Sequence, residues 1–360
     1  MIFHLPYRPN PEVPSGGQLR PLKMLRAFET LGGLQGTVIG DGAERSRQIQ
    51  ALKKKIGSGM KCDFLYSESS SMPTLLTERH HFPVFPFLDF SFFRFCKEAG
   101  MKIGLFYRDI HWNYDQYRSK TSGLKQAAAA LFYRYDFWQY TRWVDVLYLP
   151  SLEMRVHLPF KAPFRVEALP SGCDALPERS LNRAGKTLKI LYVGGLDPIH
   201  EGHLLFQAVA KRDYLSLVVS CRNDLWQKSL EAYRPLLNDR ISVIFKKGEE
   251  LSSLYEEADL LALFLKPTPY WDFAMPYKLF EYLGYEKPIL AVKGTAVGNF
   301  VESNDIGWSI EYDDERFVTL TDWIKQHPEA MLEKKKNILR IKPLHTWEAR
   351  ARKVSSDLTG

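Results

Sequence analysis

The chain has 360 residues, 45% of them apolar and 25% charged, a balance that excludes a disordered or fibrous protein and suits two cores. No apolar run approaches the roughly 20 residues that cross a bilayer. Met1-Ile2-Phe3-His4-Leu5-Pro6 lacks the basic-then-apolar order of a secretory leader, so a cytoplasmic protein is expected.

The net charge of +7 is uneven: residues 1–170 carry 23 Lys+Arg against 15 Asp+Glu (+8), and the remainder 26 against 27 (−1). A basic first half implies an anionic partner, either an anionic membrane surface or a lipid-linked diphosphate. No nucleic-acid recognition motif accompanies the charge, so no nucleic-acid partner is expected. Cys62, Cys96, Cys173 and Cys221 are scattered without Cys-x-x-Cys spacing, and His80 and His81 have no partners at ligand spacing. We therefore expect neither a disulfide framework nor a metal.

Taken in order, residues 2–5 read as a strand. A loop with Ser15-Gly16-Gly17 follows, then a helix over 19–31 that turns Leu22, Leu25, Ala27 and Phe28 inward. Such a strand, Gly-rich loop and helix can bring backbone N–H groups to a diphosphate, although a plain turn uses the same glycines. Strand, helix and strand follow at 37–39, 43–56 and 64–66. Residues 81–95 hold Phe82, Phe85, Phe87, Phe90, Phe92, Phe93 and Phe95 beside Arg79, Arg94 and Lys97. This suits either a surface that dips into lipid headgroups or a buried helix.

A strand over 103–107 ends in Arg108-Asp109-Ile110-His111-Trp112. Asp109 and His111 are the acid–base pair of the first half at a strand's carboxyl end. Asp109 can take a proton from an attacking hydroxyl or cap the next turn. A helix over 124–143 and strands at 146–149 and 165–168 complete the half, with Ser151 as a helix cap. Pro, Gly and charge clustered over 169–186 mark a domain linker.

The second half opens with a strand over 188–193 and Gly194-Gly195-Leu196-Asp197-Pro198-Ile199-His200-Glu201-Gly202. Gly194 and Gly195 can let backbone approach a phosphate, but this is not the Gly-x-Gly-x-x-Gly of a dinucleotide fold. Helices at 203–211, 225–236 and 251–258 alternate with strands at 215–219, 241–245 and 260–265. Lys246 and Lys247 precede Gly248 and can add charge or meet a base edge.

A Pro- and aromatic-rich loop leads to Pro276 at the first position of a helix that ends at Gly284, and Lys287-Pro288-Ile289-Leu290 starts the next strand. A helix N-terminus beyond a parallel strand offers unpaired N–H groups and a positive dipole end. Lys278 supplies a cation for phosphate, and Glu281, one turn on, an acceptor pair for the vicinal hydroxyls of a ribose. An ordinary surface Lys–Glu pair has the same spacing.

Pro276-Tyr277-Lys278, Glu281-Tyr282-Leu283 and Lys287-Pro288-Ile289-Leu290 resemble the donor-binding segment of GT-B glycosyltransferases, especially glycosyltransferase family 4 and related bacterial polysaccharide enzymes. The resemblance implies that Glu281 holds the donor ribose and that Lys278 lies near the diphosphate. Pro276, Tyr277, Gly194, Gly195 and Lys247 would complete the donor site. Arg108-Asp109 aligns with the family's His-Asp pair, with His111 as the stand-in for its histidine. Gly195 and Glu201 stand where the family places an Arg and a Lys, and Phe273 replaces the first Glu of its Glu-x7-Glu pair. Ser171-Gly172-Cys173-Asp174 is similar to the family's interdomain linker, and the ending with His345 to a helix that crosses back.

The implied fold is α/β with GT-B architecture: two Rossmann-like domains with parallel sheets facing across a cleft. The expected domains are 1–170 for the acceptor, with Gly16, Gly17 and Arg108, a linker over 171–186, 187–344 for the nucleotide-sugar, and a closing helix over 345–360. The implied activity moves a hexosyl group from a UDP- or GDP-linked donor to a lipid-linked or glycan acceptor. It would act peripherally on the inner face of the membrane without cofactor or metal, with Lys278, Asp109 and His111 as catalytic candidates. Retention follows from the family; inversion with Asp109 as base, a nucleotide-sugar epimerase, or a non-catalytic membrane scaffold are the alternatives.

Overall fold

The computed structural model describes residues 1–13, 15–110, 112, 123–158, 163–178 and 187–360, with backbone only over 123–128. It divides into two compact units, Met1–Ser171 with Trp347–Gly360, and Gly172–Thr346. Among the described residues no helix is long and apolar enough to cross a membrane.

In the first unit, β1 (Ile2–Leu5), β2 (Gly36–Ile39), β3 (Phe64–Glu68), β4 (Lys102–Phe106), β5 (Val146–Leu149) and β6 (Arg165–Ala168) form a parallel sheet ordered β2-β1-β3-β4-β5-β6. Every residue of β1, β3 and β5 is buried, as apolar runs covered on both faces require. The covering helices are α1 (Gly16–Thr30), α2 (Gly42–Gly57), α3 (Leu88–Glu98) and α4 (Gly123–Trp143). The closing helix Trp347–Thr359 packs on α1, β3 and β4. Asp41 starts α2 through a reciprocal capping box with Glu44. Helix α3 buries Phe90, Phe92, Phe93 and Cys96, whereas Phe82 and Phe87 ahead of it stay 68% and 72% exposed. The Phe-rich stretch is therefore divided between core and surface.

Helix α1 starts three residues earlier than the pattern suggests and contains Pro21. Proline has no N–H to give the carbonyl four residues back, that of Gly17. The Tyr7 hydroxyl donates to that carbonyl instead, at 2.9 Å.

Charge is also buried here. His4 bonds Ser67 Oγ at 2.8 Å and Asp89 Oδ1 at 2.9 Å, and the Arg45 guanidinium grips both oxygens of Asp89. Burial raises the Asp89 carboxyl, but His4 and Arg45 together hold it below its ordinary value. This Ser–His–Asp chain has a catalytic look, yet all its members are buried, and it ties β1, β3, α2 and α3 together.

Asp136 on α4 is different. Its Oδ2 accepts the Thr74 N–H at 2.7 Å, and its Oδ1 has no hydrogen-bond partner among the described residues. Burial, with the Asp89 charge adding, pushes this carboxyl up to about 7 despite the bonds from Thr74 and Tyr140. The folded state thus holds its proton more tightly than the unfolded chain. Stability from this group is complete below about pH 4 and is lost as pH rises to about 7, a difference on the order of a few kcal/mol. We predict that Asp136→Asn, neutral throughout, flattens the fall of the first unit's urea midpoint between those limits. An unchanged slope would contradict the assignment.

The second unit has β7 (Leu188–Val193), β8 (Leu215–Ser220), β9 (Ile241–Ile244), β10 (Leu260–Leu263), β11 (Ile289–Val292) and β12 (Gly307–Ile310), all parallel in the order β12-β11-β10-β7-β8-β9. The helices are α5 (His203–Ala210), α6 (Asn223–Tyr233), α7 (Ser252–Glu257), α8 (Tyr277–Gly284), α9 (Ala296–Ser303), α10 (Asp314–Gln326) and α11 (Glu329–Ile341). One core face holds Phe206, Leu217, Leu260, Phe264 and Phe317, and the other Tyr255, Leu261, Phe280, Leu283 and Ile289. The strand order reverses beside β1 in one unit and beside β7 in the other.

Candidate functional site

Open parallel sheets bind ligands outside the carboxyl ends of their strands where the order reverses, because the connections leave in opposite directions and open a crevice. In the second unit this point lies between β7 and β10. The loops leaving those strands, 194–202 and 264–276, are tied together. The Trp271 indole donates to the Ile199 carbonyl at 3.1 Å, the Lys266 N–H to the Glu201 carbonyl at 2.8 Å, and the two side chains of Lys266 and Glu201 pair at 3.2 Å.

Gly194 has a packing reason: a Cβ there would lie 2.5 Å from the Tyr192 hydroxyl, which reaches over it to the Gly195 carbonyl at 2.6 Å. The helix that follows, α5, does not present an open N-terminus. The Tyr233 hydroxyl accepts the Gly202 N–H at 2.9 Å, the Tyr312 hydroxyl accepts the Leu204 N–H at 3.3 Å, and His203 stacks on Tyr233 at 4.1 Å.

Helix α8 is built otherwise. Pro276 is its N-cap rather than its first helical residue, and no side chain caps it. Its first turn contains no acidic residue, so the positive dipole end is uncompensated from within that turn. Tyr282 anchors the helix, since its hydroxyl accepts the Val193 N–H at 2.9 Å at the end of β7. Lys278 and Glu281 share the partly buried face, 21% and 22% exposed, and pair at 2.5 Å. Burial, and then the Glu281 charge, pushes the hydroxyls of Tyr255 and Tyr277 well above the ordinary range. Glu281 therefore lies in an aromatic bed that stays neutral. When this pair separates, a phosphate can take the ammonium of Lys278 and the two hydroxyls of a diol can donate to the Glu281 carboxylate.

Lys287 of the Lys287-Pro288 step has a structural task. Its buried ammonium donates to the carbonyls of Glu256 and Ala258 at 2.9 and 2.8 Å, at the carboxyl end of α7. Phe273 is buried and packs on Tyr270 at 5.4 Å, which leaves no carboxylate at that position. Lys247 is exposed beyond edge strand β9, two strands from β7, and its N–H donates to Glu250 at 3.1 Å.

The first unit's reversal, between β1 and β3, gathers Tyr7, Gly16, Gly17, Ser69 and Arg108. The Arg108 N–H donates to Ser69 Oγ at 3.1 Å, and its guanidinium donates to the Tyr7 hydroxyl. A Cβ on Gly17 would lie 2.7 Å from the Arg108 Nη1, so glycine there makes room for the guanidinium. A cation beside the N-terminus of α1, whose first turn holds no acidic residue, favours an anion. Asp109 follows on the same loop, half-buried; His111 lies outside the described residues. Among the described residues no His/Cys/Asp/Glu cluster can hold a metal.

Asp197 and His200 complete the second unit's loop and were not singled out from sequence. Asp197 Oδ1 accepts the Ile199 N–H at 2.9 Å and bonds His200 Nδ1 at 2.9 Å. The local signal, an aspartate two and three residues before those groups, is that of an Asx turn.

No protein-family model matches the chain, and no curated protein matches its sequence. Solved structures do. A glycosyltransferase from Rickettsia africae ESF-5 is 11% identical over 99% of this chain and 97% of its own, with a TM-score of 0.62. AviGT4, a glycosyltransferase involved in avilamycin A biosynthesis, is 14% identical over 99% and 96%, with a TM-score of 0.57. MnaA of S. aureus, solved with UDP, is 12% identical over 98% and 94%, with a TM-score of 0.50. At such identities these likenesses show the fold, a two-unit α/β architecture of the GT-B kind.

Proposed function

We propose that this chain is a glycosyltransferase of the hexosyl type that takes its sugar from a UDP- or GDP-linked donor held on the second unit. The observation that carries the reading is the open N-terminus of α8 at the sheet's reversal point, with Lys278 and Glu281 on its first turn and a half. Helix dipole and ammonium stabilise the departing diphosphate, so the reading requires neither metal nor cofactor. The first unit holds the acceptor, and the Arg108 guanidinium, Tyr7 and the Gly17 turn suit a phosphate or other anion beside the reacting hydroxyl. That chemistry, with a net +8 over residues 1–170, fits a lipid-linked or glycan acceptor at the inner face of the membrane. We take the anomeric configuration to be retained, as the family resemblance implies.

A thermal-shift screen against UDP, GDP, CMP and dTDP tests the reading. A ligand at about 100 times its Kd stabilises by roughly 2.7 kcal/mol, so one nucleotide should raise the second unit's transition by several degrees. The reading fails when none does.

A further inference from the structure

We infer that the first unit carries a docking face for an anionic lipid bilayer, built from the loop ahead of α3 and the outward stripe of α4. This rests on the membrane-bound acceptor proposed above and on nothing in the donor site.

The loop is pinned in place. Glu78 accepts the Gly42 N–H at 2.6 Å, and the His81 ring donates to the Leu76 carbonyl at 3.0 Å. Phe85 lies against the start of α2, where a Cβ on Gly42 would come within 2.1 Å of its ring. With Phe85 as the anchor, Phe82, Val84 and Phe87 are held outward and stay exposed. Such rings on a fixed loop leave apolar surface in water for which the fold itself has no use.

The stripe comes from helical spacing. Leu131, Arg134, Trp138 and Arg142 recur at steps of three and four residues, so they share one side of α4 over roughly 16 Å, and all four are exposed. The Arg142 guanidinium lies on the Trp138 ring at 3.9 Å. Tyr135, between Leu131 and Trp138 on the helix, meets Phe90 at 5.7 Å, and Phe90 is the first turn of α3 after Phe87. Loop and stripe are therefore neighbours on one surface.

Charge selects the occupant. Arg79 and Arg134 are exposed and have no carboxylate partner among the described residues. The acidic groups nearby are committed: Glu78 to Gly42, Glu98 to Arg94 at 3.6 Å, and Asp145 to Lys97 at 2.7 Å, while Asp89 and Asp136 are buried. Apolar rings beside unmatched arginines and an exposed tryptophan match the headgroup layer, where rings reach the acyl boundary and guanidinium groups stay with phosphates. A fluid layer also conforms to a loop tip and a helix stripe standing side by side, which a single shaped protein groove does not.

The test is flotation of the full chain with vesicles of phosphatidylcholine alone and of an equal mixture with phosphatidylglycerol. The chain should float with the mixture and far less with phosphatidylcholine. Phe82→Ser with Phe87→Ser should lower the partition coefficient about a hundredfold, roughly tenfold per ring. Arg134→Gln with Arg142→Gln should lower it about 25-fold on the mixture, roughly fivefold per arginine, and little on phosphatidylcholine. Leu332→Ser, at an exposed apolar position on α11, should leave it unchanged. Thermal melts check that each variant folds. Flotation that survives in the Phe82→Ser, Phe87→Ser variant, or that is equal on both lipids, overturns this face and leaves the membrane-bound acceptor standing. No flotation of the wild-type chain removes both, while a nucleotide-dependent thermal shift would still support the donor site.

Discussion

Lys278→Ala should lower turnover about 10²–10³-fold, the usual cost of removing one pre-oriented stabiliser of developing negative charge. The same change should move the melting temperature of the second unit by no more than about 2 °C. In the resting protein Lys278 pairs with Glu281 three residues along one helix, and such pairs contribute about 0.2–0.5 kcal/mol. The disparity is the point of the experiment, because a residue kept for folding loses both together. Glu281→Gln serves as the companion variant. It retains a hydrogen-bonding side chain but not the carboxylate that grips a diol, so its loss should appear mainly in nucleotide affinity. Initial rates under saturating donor, with a thermal melt of each variant, separate these outcomes. An unaltered rate in Lys278→Ala would remove the lysine from the chemistry and reduce the pair to a surface contact.

The pairing also explains how the site persists without a ligand. A lone ammonium at the positive end of α8 would be repelled by the helix dipole, and Glu281 one turn along offsets that charge. Each satisfies the other until a donor supplies phosphate for one and hydroxyls for the other.

How much of this was legible in the sequence depended on the range of the interactions. The strands were, because a parallel strand covered on both faces is written as an unbroken apolar run, as at Leu260–Leu263 and Ile289–Val292. The turn into α8 was also legible, since Pro276 and Gly284 punctuate the chain locally, although proline proved to be the cap itself. The start of α1 was not, because what allows Pro21 inside the helix is a hydroxyl from Tyr7 that no local pattern announces. Phenylalanine content could not say which rings face inward; the structure buries Phe90, Phe92 and Phe93 and exposes Phe82 and Phe87. The task of Lys287 was hidden for the same reason, as its partners lie some thirty residues earlier on α7. Asp197 and His200 had a short-range signature, but its meaning came only with the strand order that sets this loop beside β10.

The largest stability loss is expected where distant charges meet in the dry interior of the first unit. Arg20 on α1 pairs with Glu68 at the end of β3, donates to the Leu169 carbonyl at 3.1 Å, and lays its guanidinium on the Phe106 ring at 3.3 Å. The Tyr66 hydroxyl also donates to Glu68 at 2.9 Å. Arg20→Ala would strand a buried carboxylate with one hydroxyl for company, which costs about 3–5 kcal/mol and should lower the first unit's urea midpoint without altering the slope. Replacing both charges, as in Arg20→Met with Glu68→Leu, removes the desolvation cost together with the attraction and should recover most of that loss. Recovery in the double variant identifies the stranded charge as the cause, whereas equal losses in both would assign the effect to packing around Phe106. Because Arg20 lies one turn beyond Gly17, the double variant also shows whether the Tyr7–Arg108 arrangement needs that charge beneath it. Retained activity there would make the pair a matter of folding alone.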